Sequence, residues 1–182
     1  AQDMLFERNT FGLPSIATTG IELETERLKA EAWMRVTFGL PVDSNLSGIG
    51  AFASDMRLIR GIEFWNLDMM DNALLELEDL RVSVSENPVD SFQLGNYLLD
   101  LGFYRPAIFA LRQVMTLAGM DNQPATLSAP KYFNMVRFGF YYNDLVSPMS
   151  VSSGFDAALI YSIIRQESLY DRFAGSTQGA LG

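Results

Sequence analysis

The chain repeats itself. Residues 61–80 and 95–114 align at a shift of 34, with Gly61 on Gly95, Phe64 on Leu98, Leu67 on Leu101 and Met70 on Tyr104. The register continues through Ala73 on Ala107, Leu74 on Ile108, Leu77 on Leu111 and Leu80 on Val114. The apolar spacing in each copy is helical rather than alternating, so each copy is predicted to be a pair of antiparallel helices. The small positions follow the same logic. Gly61 and Gly95 sit where the first helix of a pair meets the second. Ala73 and Ala107 let the second helix approach closely. The large apolar residues fill the space between the helices.

Helical patterns run over about 21–38, 54–67, 71–85, 89–101 and 104–118. Gly39 and Pro41 stop the first, Pro88 opens the fourth at a favourable first-turn position, and Gly102 and Gly119 close the last two. Pro124 and Pro130 punctuate the segment after Gly119. A 34-residue period is that of tetratricopeptide repeats. The stretch Gly102-Phe103-Tyr104-Arg105-Pro106-Ala107-Ile108 resembles the turn and second helix of that repeat, while the earlier copy has Asp68 where glycine is expected. The alternative is two generic helical hairpins, since any adjacent pair can align this way. Two units are marginal for a free-standing solenoid, which normally needs about three, so flanking helices are expected to cap them. The expected fold is therefore all-α, a superhelical array of antiparallel helix pairs. Such an array offers a concave face suited to a protein partner.

Composition narrows the chemistry. The 182 residues include no cysteine and no histidine. Disulfides, thiolate or imidazole metal ligands, cysteine nucleophiles and histidine bases are excluded within this chain. Net charge is −9 with no Lys/Arg cluster, which argues against nucleic acid and against anionic membrane surfaces. The apolar run Ala157–Ile164 is broken by Ser162 and falls far short of the roughly 20 residues that span a bilayer. The N-terminus lacks the basic and apolar regions of a signal peptide. Residues 1–20 read as an irregular lead-in, and both ends read as boundaries within something larger. The many Met and aromatic residues, at helical spacing, are expected to be core. Trp65 is a candidate sugar-stacking residue, but its place in the repeat favours packing.

Residues 154–182 carry the chemical signal. Asp156 is an N-cap, and the helix after it runs to about Ser168. Ile160, Ile163 and Ile164 define a stripe whose next member, seven residues on from Ile160, is Glu167. A carboxylate thus stands where an apolar residue belongs, at a helix C-terminus where the dipole disfavours negative charge. Desolvation and dipole would both favour the protonated form that a general acid requires. The alternative is that Glu167 pairs with a cation such as Arg172, or sits in solvent at a fraying helix end. Small residues come next, Ala174 to Ala180, which allow close backbone approach to a ligand. They equally suit an ordinary loop with Ser176 capping a next helix.

The string Ile163-Ile164-Arg165-Gln166-Glu167-Ser168, followed by Asp171, Ala174, Ser176, Gly179-Ala180 and Gly182, resembles the opening of the catalytic domain of soluble lytic transglycosylases. These lysozyme-like enzymes cleave peptidoglycan. Phe140 to Val146 resembles the lead-in to that domain, and the repeats are similar, less specifically, to its α-superhelical region. The organisation this implies is a lead-in over 1–20, a tetratricopeptide-like region over 21–125, linker helices over 126–153 and the first helix of a lysozyme-like domain within 154–182. The implied substrate is the β-1,4 bond between N-acetylmuramic acid and N-acetylglucosamine in peptidoglycan glycan strands. The implied acid and base is Glu167, with Ser168, Ser176 and Gly179 as substrate-binding residues. No second carboxylate, cofactor or metal is implied, unlike the usual two-carboxylate glycosidases. Location outside the cytoplasm is implied by the substrate alone. Gly182 matches only the first residue of the family's second motif, so the isolated chain is expected to be inactive. The competing expectation is a helical-repeat interaction module without catalysis.

Overall fold

The computed structural model describes residues 19–121, 123–171 and 174. These residues form helices joined by turns, with no strand among them. Helix α1 spans Thr19–Thr37, so residues 19 and 20 of the expected lead-in already belong to a helix. A 3₁₀ turn at Gly50–Ser54 leads into a hairpin of α2 (Met56–Asn66) and α3 (Met70–Ser83). A second hairpin comes next, α4 (Pro88–Asp100) and α5 (Tyr104–Leu117). The single turn α6 (Gln123–Thr126), α7 (Lys131–Arg137), α8 (Asn143–Ser153) and α9 (Ala157–Ser168) complete the described chain. The fold is all-α, and no described helix is long and apolar enough to cross a membrane.

Local chemistry sets the helix boundaries. The Asp55 side chain accepts from the Arg57 amide at 2.8 Å, capping α2. Asn87 accepts from the amides of Val89 at 2.9 Å and Asp90 at 3.2 Å, and Pro88 needs no partner in that first turn. The two hairpin turns superimpose in hydrogen-bond register. Asp68 donates to Trp65 O at 3.1 Å and Met69 to Phe64 O at 2.9 Å; thirty-four residues on, Gly102 donates to Leu99 O at 3.0 Å and Phe103 to Leu98 O at 2.9 Å. The turn requires a left-handed residue. Gly102 supplies it at φ +84° and Asp68 at φ +57°, so the aspartate adopts the glycine's conformation.

Packing repeats with the turns. A Cβ on Gly61 would lie 3.0 Å from Leu77 Cγ, and one on Gly95 2.7 Å from Leu111 Cγ. Ala73, Ala107, Leu77, Leu111, Leu80 and Val114 are all buried. Leu67 and Leu101, at the helix ends, are exposed instead. Trp65 lies half-buried with its ring 4.2 Å from that of Phe103, within the packed interior of the hairpins.

Helix α4 is the centre of the molecule, with Ser91 to Asn96, Leu98 and Leu99 all buried. Each large apolar side chain so buried contributes about 1.5–3 kcal/mol. Helices α1 and α7, distant in sequence, pack against each other. The Trp33 and Phe133 rings meet edge-on at 5.4 Å, and Phe92 of α4 approaches both Tyr132 and Phe133. The Tyr132 hydroxyl donates to Asn96. Arg27 of α1 forms a bidentate pair with Asp100 of α4 at 2.7 and 3.1 Å. The buried face of α1 is Ala30 and Met34, while Leu28, Ala32 and Val36 face solvent.

Candidate functional site

Helix α9 is held to the body from its N-cap as far as Arg165. The Asp156 side chain accepts from the Ala158 amide at 2.7 Å. Ala157 and Tyr161 are buried, with Ile160 and Ile164 packed beside them. The Tyr161 ring meets Phe140 at 4.9 Å, and its hydroxyl donates to Asn143 Oδ1 at 3.0 Å. Burial pushes the Tyr161 hydroxyl up to about 12. Arg165 donates from Nε to the Arg137 carbonyl at 3.0 Å and rests its guanidinium 4.6 Å from the Phe138 ring centre.

Glu167 is exposed, which corrects the buried stripe expected from Ile160, Ile163 and Ile164. The physical reason is the register of the packed face. From Ala157, steps of three, four and seven lead to Ile160, Tyr161 and Ile164, and the step of eleven leads to Ser168. Glu167 belongs to the neighbouring face with Leu159 and Ile163, which are 50% and 53% exposed. The described residues therefore leave the Glu167 carboxyl open to solvent. Its expected place at the helix C-terminus holds, because Glu167 lies in the last turn. Among the described residues the Glu167 side chain makes no hydrogen bond and no ion pair. Ser168 is half-buried, and its hydroxyl donates to the Ile164 carbonyl at 3.0 Å.

The chain reverses sharply after Ser168. Leu169 and Tyr170 both adopt left-handed conformations, at φ +51° and +63°. The Leu169 amide donates to Arg165 O at 3.0 Å and the Asp171 amide to Ser168 O at 3.1 Å. Asp171 pairs with Arg105 of α5 at 3.4 Å. It also lines a groove of about 410 Å³ together with Leu74, Leu75, Pro106 and Phe109 and the charged Asp71, Glu78 and Arg105 of α3 and α5. Ser176 and Gly179, and the alternative partner Arg172, lie outside the described residues. Among the described residues no three carboxylates gather as a metal site would require.

Tyr104, Tyr141 and Tyr142 gather around Tyr170 of this turn, and the sequence marks only Tyr141 and Tyr142, through the aromatic density at Phe138 to Tyr142. Their signal is spatial: Tyr104 comes from the second hairpin and Tyr142 from the start of α8. Comparisons with protein-family models, with curated proteins and with solved structures find no match to this chain.

Proposed function

We propose that this chain carries the opening of a peptidoglycan lytic transglycosylase catalytic domain, appended to a tetratricopeptide-like superhelical region, with Glu167 as its acid and base. The observation that carries this reading is the Glu167–Ser168 pair at the end of an anchored helix. Ser168 lies on the packed side, and Glu167 projects from the other face with its carboxyl unengaged by the described residues. In the proposed reaction Glu167 gives its proton to the glycosidic oxygen as the C1–O bond breaks. Its carboxylate then takes the proton of the muramic acid 6-hydroxyl as that oxygen closes on C1. The products are a 1,6-anhydromuramoyl end and a free N-acetylglucosamine 4-hydroxyl, with no water consumed. A general acid of this kind works in a water-excluded site. That requires a wall over Leu159, Ile163 and Glu167, whose exposure is compatible with such a cover. The substrate class places the proposed activity outside the cytoplasm.

The test uses the full-length gene product on purified sacculi. Release of 1,6-anhydro muropeptides is expected, and Glu167→Gln should lower it by roughly 100-fold or more while circular dichroism is unchanged. Turnover retained by Glu167→Gln would overturn the assignment. A second reading, a helical-repeat binding module, draws on the two hairpin turns that repeat at 34 residues. It becomes the better one if full-length wild-type protein leaves sacculi intact.

A further inference from the structure

We propose that Tyr104 and Arg105, at the start of α5, are positioning residues that hold the Glu167 end of α9 through the turn after it. This rests on the assignment of Glu167 above. Two adjacent side chains of the second hairpin reach two adjacent residues of that turn. Arg105 pairs with Asp171, whose side chain is 9% exposed. Tyr104 reaches Tyr170 through a ring cluster. Its ring stacks on Tyr141 at 4.0 Å and 19°, and Tyr141 meets Tyr170 edge-on at 4.9 Å and 77°. Tyr104 also meets Tyr142 edge-on at 5.2 Å, and the Tyr142 hydroxyl donates to the Tyr170 carbonyl at 3.1 Å. Tyr141 is in turn fixed by donating to the Val136 carbonyl at 2.7 Å.

The turn needs such support. Leu169, Tyr170 and Tyr142 all hold left-handed conformations that are unfavourable for residues with a side chain. Consecutive strained residues persist where surrounding contacts over-determine them, and Tyr170 is 2% exposed within those contacts. The other anchors of α9, at Asp156, Tyr161 and Arg165, lie N-terminal to Glu167. Only the Tyr170–Asp171 attachment lies on its C-terminal side among the described residues. Glu167 is thus held between Arg165 on one side and the α5 attachment on the other. Catalytic geometry tolerates errors of well under about 1 Å, so releasing the second attachment should affect turnover more than binding.

Hydrogen exchange on the 182-residue chain tests the attachment without needing activity. Tyr104→Ala is expected to speed exchange of the Leu169 and Asp171 amides at least tenfold, with the amides of Ile160 to Ile164 unchanged. Tyr142→Phe, which removes one hydroxyl, should speed the same two amides by a smaller factor and decides the matter if Tyr104→Ala does not fold. Unchanged exchange at both amides overturns the proposal. In the full-length protein, Tyr104→Ala should lower kcat at least tenfold with KM within twofold, and Tyr104→Phe should restore it. A change confined to KM overturns the positioning role. Wild-type inactivity on sacculi defeats the transglycosylase reading instead, and leaves the exchange result to judge the attachment.

Discussion

Replacing Gly95 with alanine should destabilise the protein, although alanine is the better helix former. Gly95 lies inside α4, and its new Cβ would sit 2.7 Å from Leu111 Cγ, 3.1 Å from Leu111 Cδ2 and 3.2 Å from the Ala110 Cβ. Ordinary carbon contacts are about 3.5–4.0 Å, so the overlap with Leu111 approaches about 1 Å. Leu111 is buried and meets the glycine with its branch carbon, so it cannot swing aside. Overpacking of this kind costs about 1–3 kcal/mol, and the helix propensity gain returns about 1 kcal/mol. The expected net loss is up to about 2 kcal/mol. Gly61→Ala is an internal control. Its nearest contacts are Leu77 Cγ and Cδ2 at 3.0 Å, with the next atom at 3.5 Å. There the two effects should cancel to within about 0.5 kcal/mol. Urea unfolding followed by far-ultraviolet circular dichroism reads both from the midpoint at constant m. The decisive background is Leu111→Ala, which alone should cost about 2–5 kcal/mol. With the leucine gone, Gly95→Ala should stabilise by about 1 kcal/mol. An equal loss from Gly95→Ala in both backgrounds would refute the close approach of α4 and α5 at this point.

The turns and the buried tyrosines yield two further outcomes. Asp68→Gly should raise stability by up to about 1 kcal/mol, because the residue holds φ +57° where its counterpart Gly102 holds φ +84°. Destabilisation in the same urea assay would mean that the aspartate side chain contributes more than its backbone costs. Burial raises the Tyr132 hydroxyl to about 12 from an ordinary 10. Its neutral form is favoured in the folded state, so the associated stability is complete below about pH 10 and is lost as pH climbs through about 12. Two decades of proton affinity at about 1.4 kcal/mol each set the loss at about 3 kcal/mol. Stability measured at about pH 8, 10 and 11 should fall in the wild type and fall less in Tyr132→Phe; parallel curves would refute the assignment.

The hairpins are legible in the sequence because their signal is local. The period of 34, the glycines opposite Leu77 and Leu111, and the stops at Gly102 and Gly119 each depend on residues close in sequence. Capping by Asp156 is legible for the same reason, since the side chain serves an amide two residues away. Helix α9 shows where this legibility ends. Leu159, Ile160, Tyr161, Ile163 and Ile164 surround the helix with apolar side chains, so spacing alone does not select a buried face. Tyrosine decides it: Tyr161 finds both Phe140 and Asn143, partners set by tertiary structure. Helix α1 misleads similarly. Leu28 and Val36 are apolar members of its helical pattern, yet they face solvent while Ala30 and Met34 are buried. The cluster around Tyr170 draws on residues 104, 141 and 142, and no period links them.

The pairing of α1 with α7 has a consequence for synthesis. Helix α1 ends at Thr37 and α7 begins at Lys131, so 93 residues lie between them. At about 5–20 residues per second, a ribosome needs roughly 5–20 seconds to make that stretch. Throughout it the α1 face that carries Ala30, Trp33 and Met34 waits for α7 and its Phe133. That face is not uniformly greasy: Arg27 and Glu31 are interleaved with its apolar residues, and Arg35 joins Glu31 at 3.5 Å. Charges so placed keep a nascent helix from sticking to others before its partner is made. A polar inlay that looks wasteful in the finished core thus serves the unfinished one.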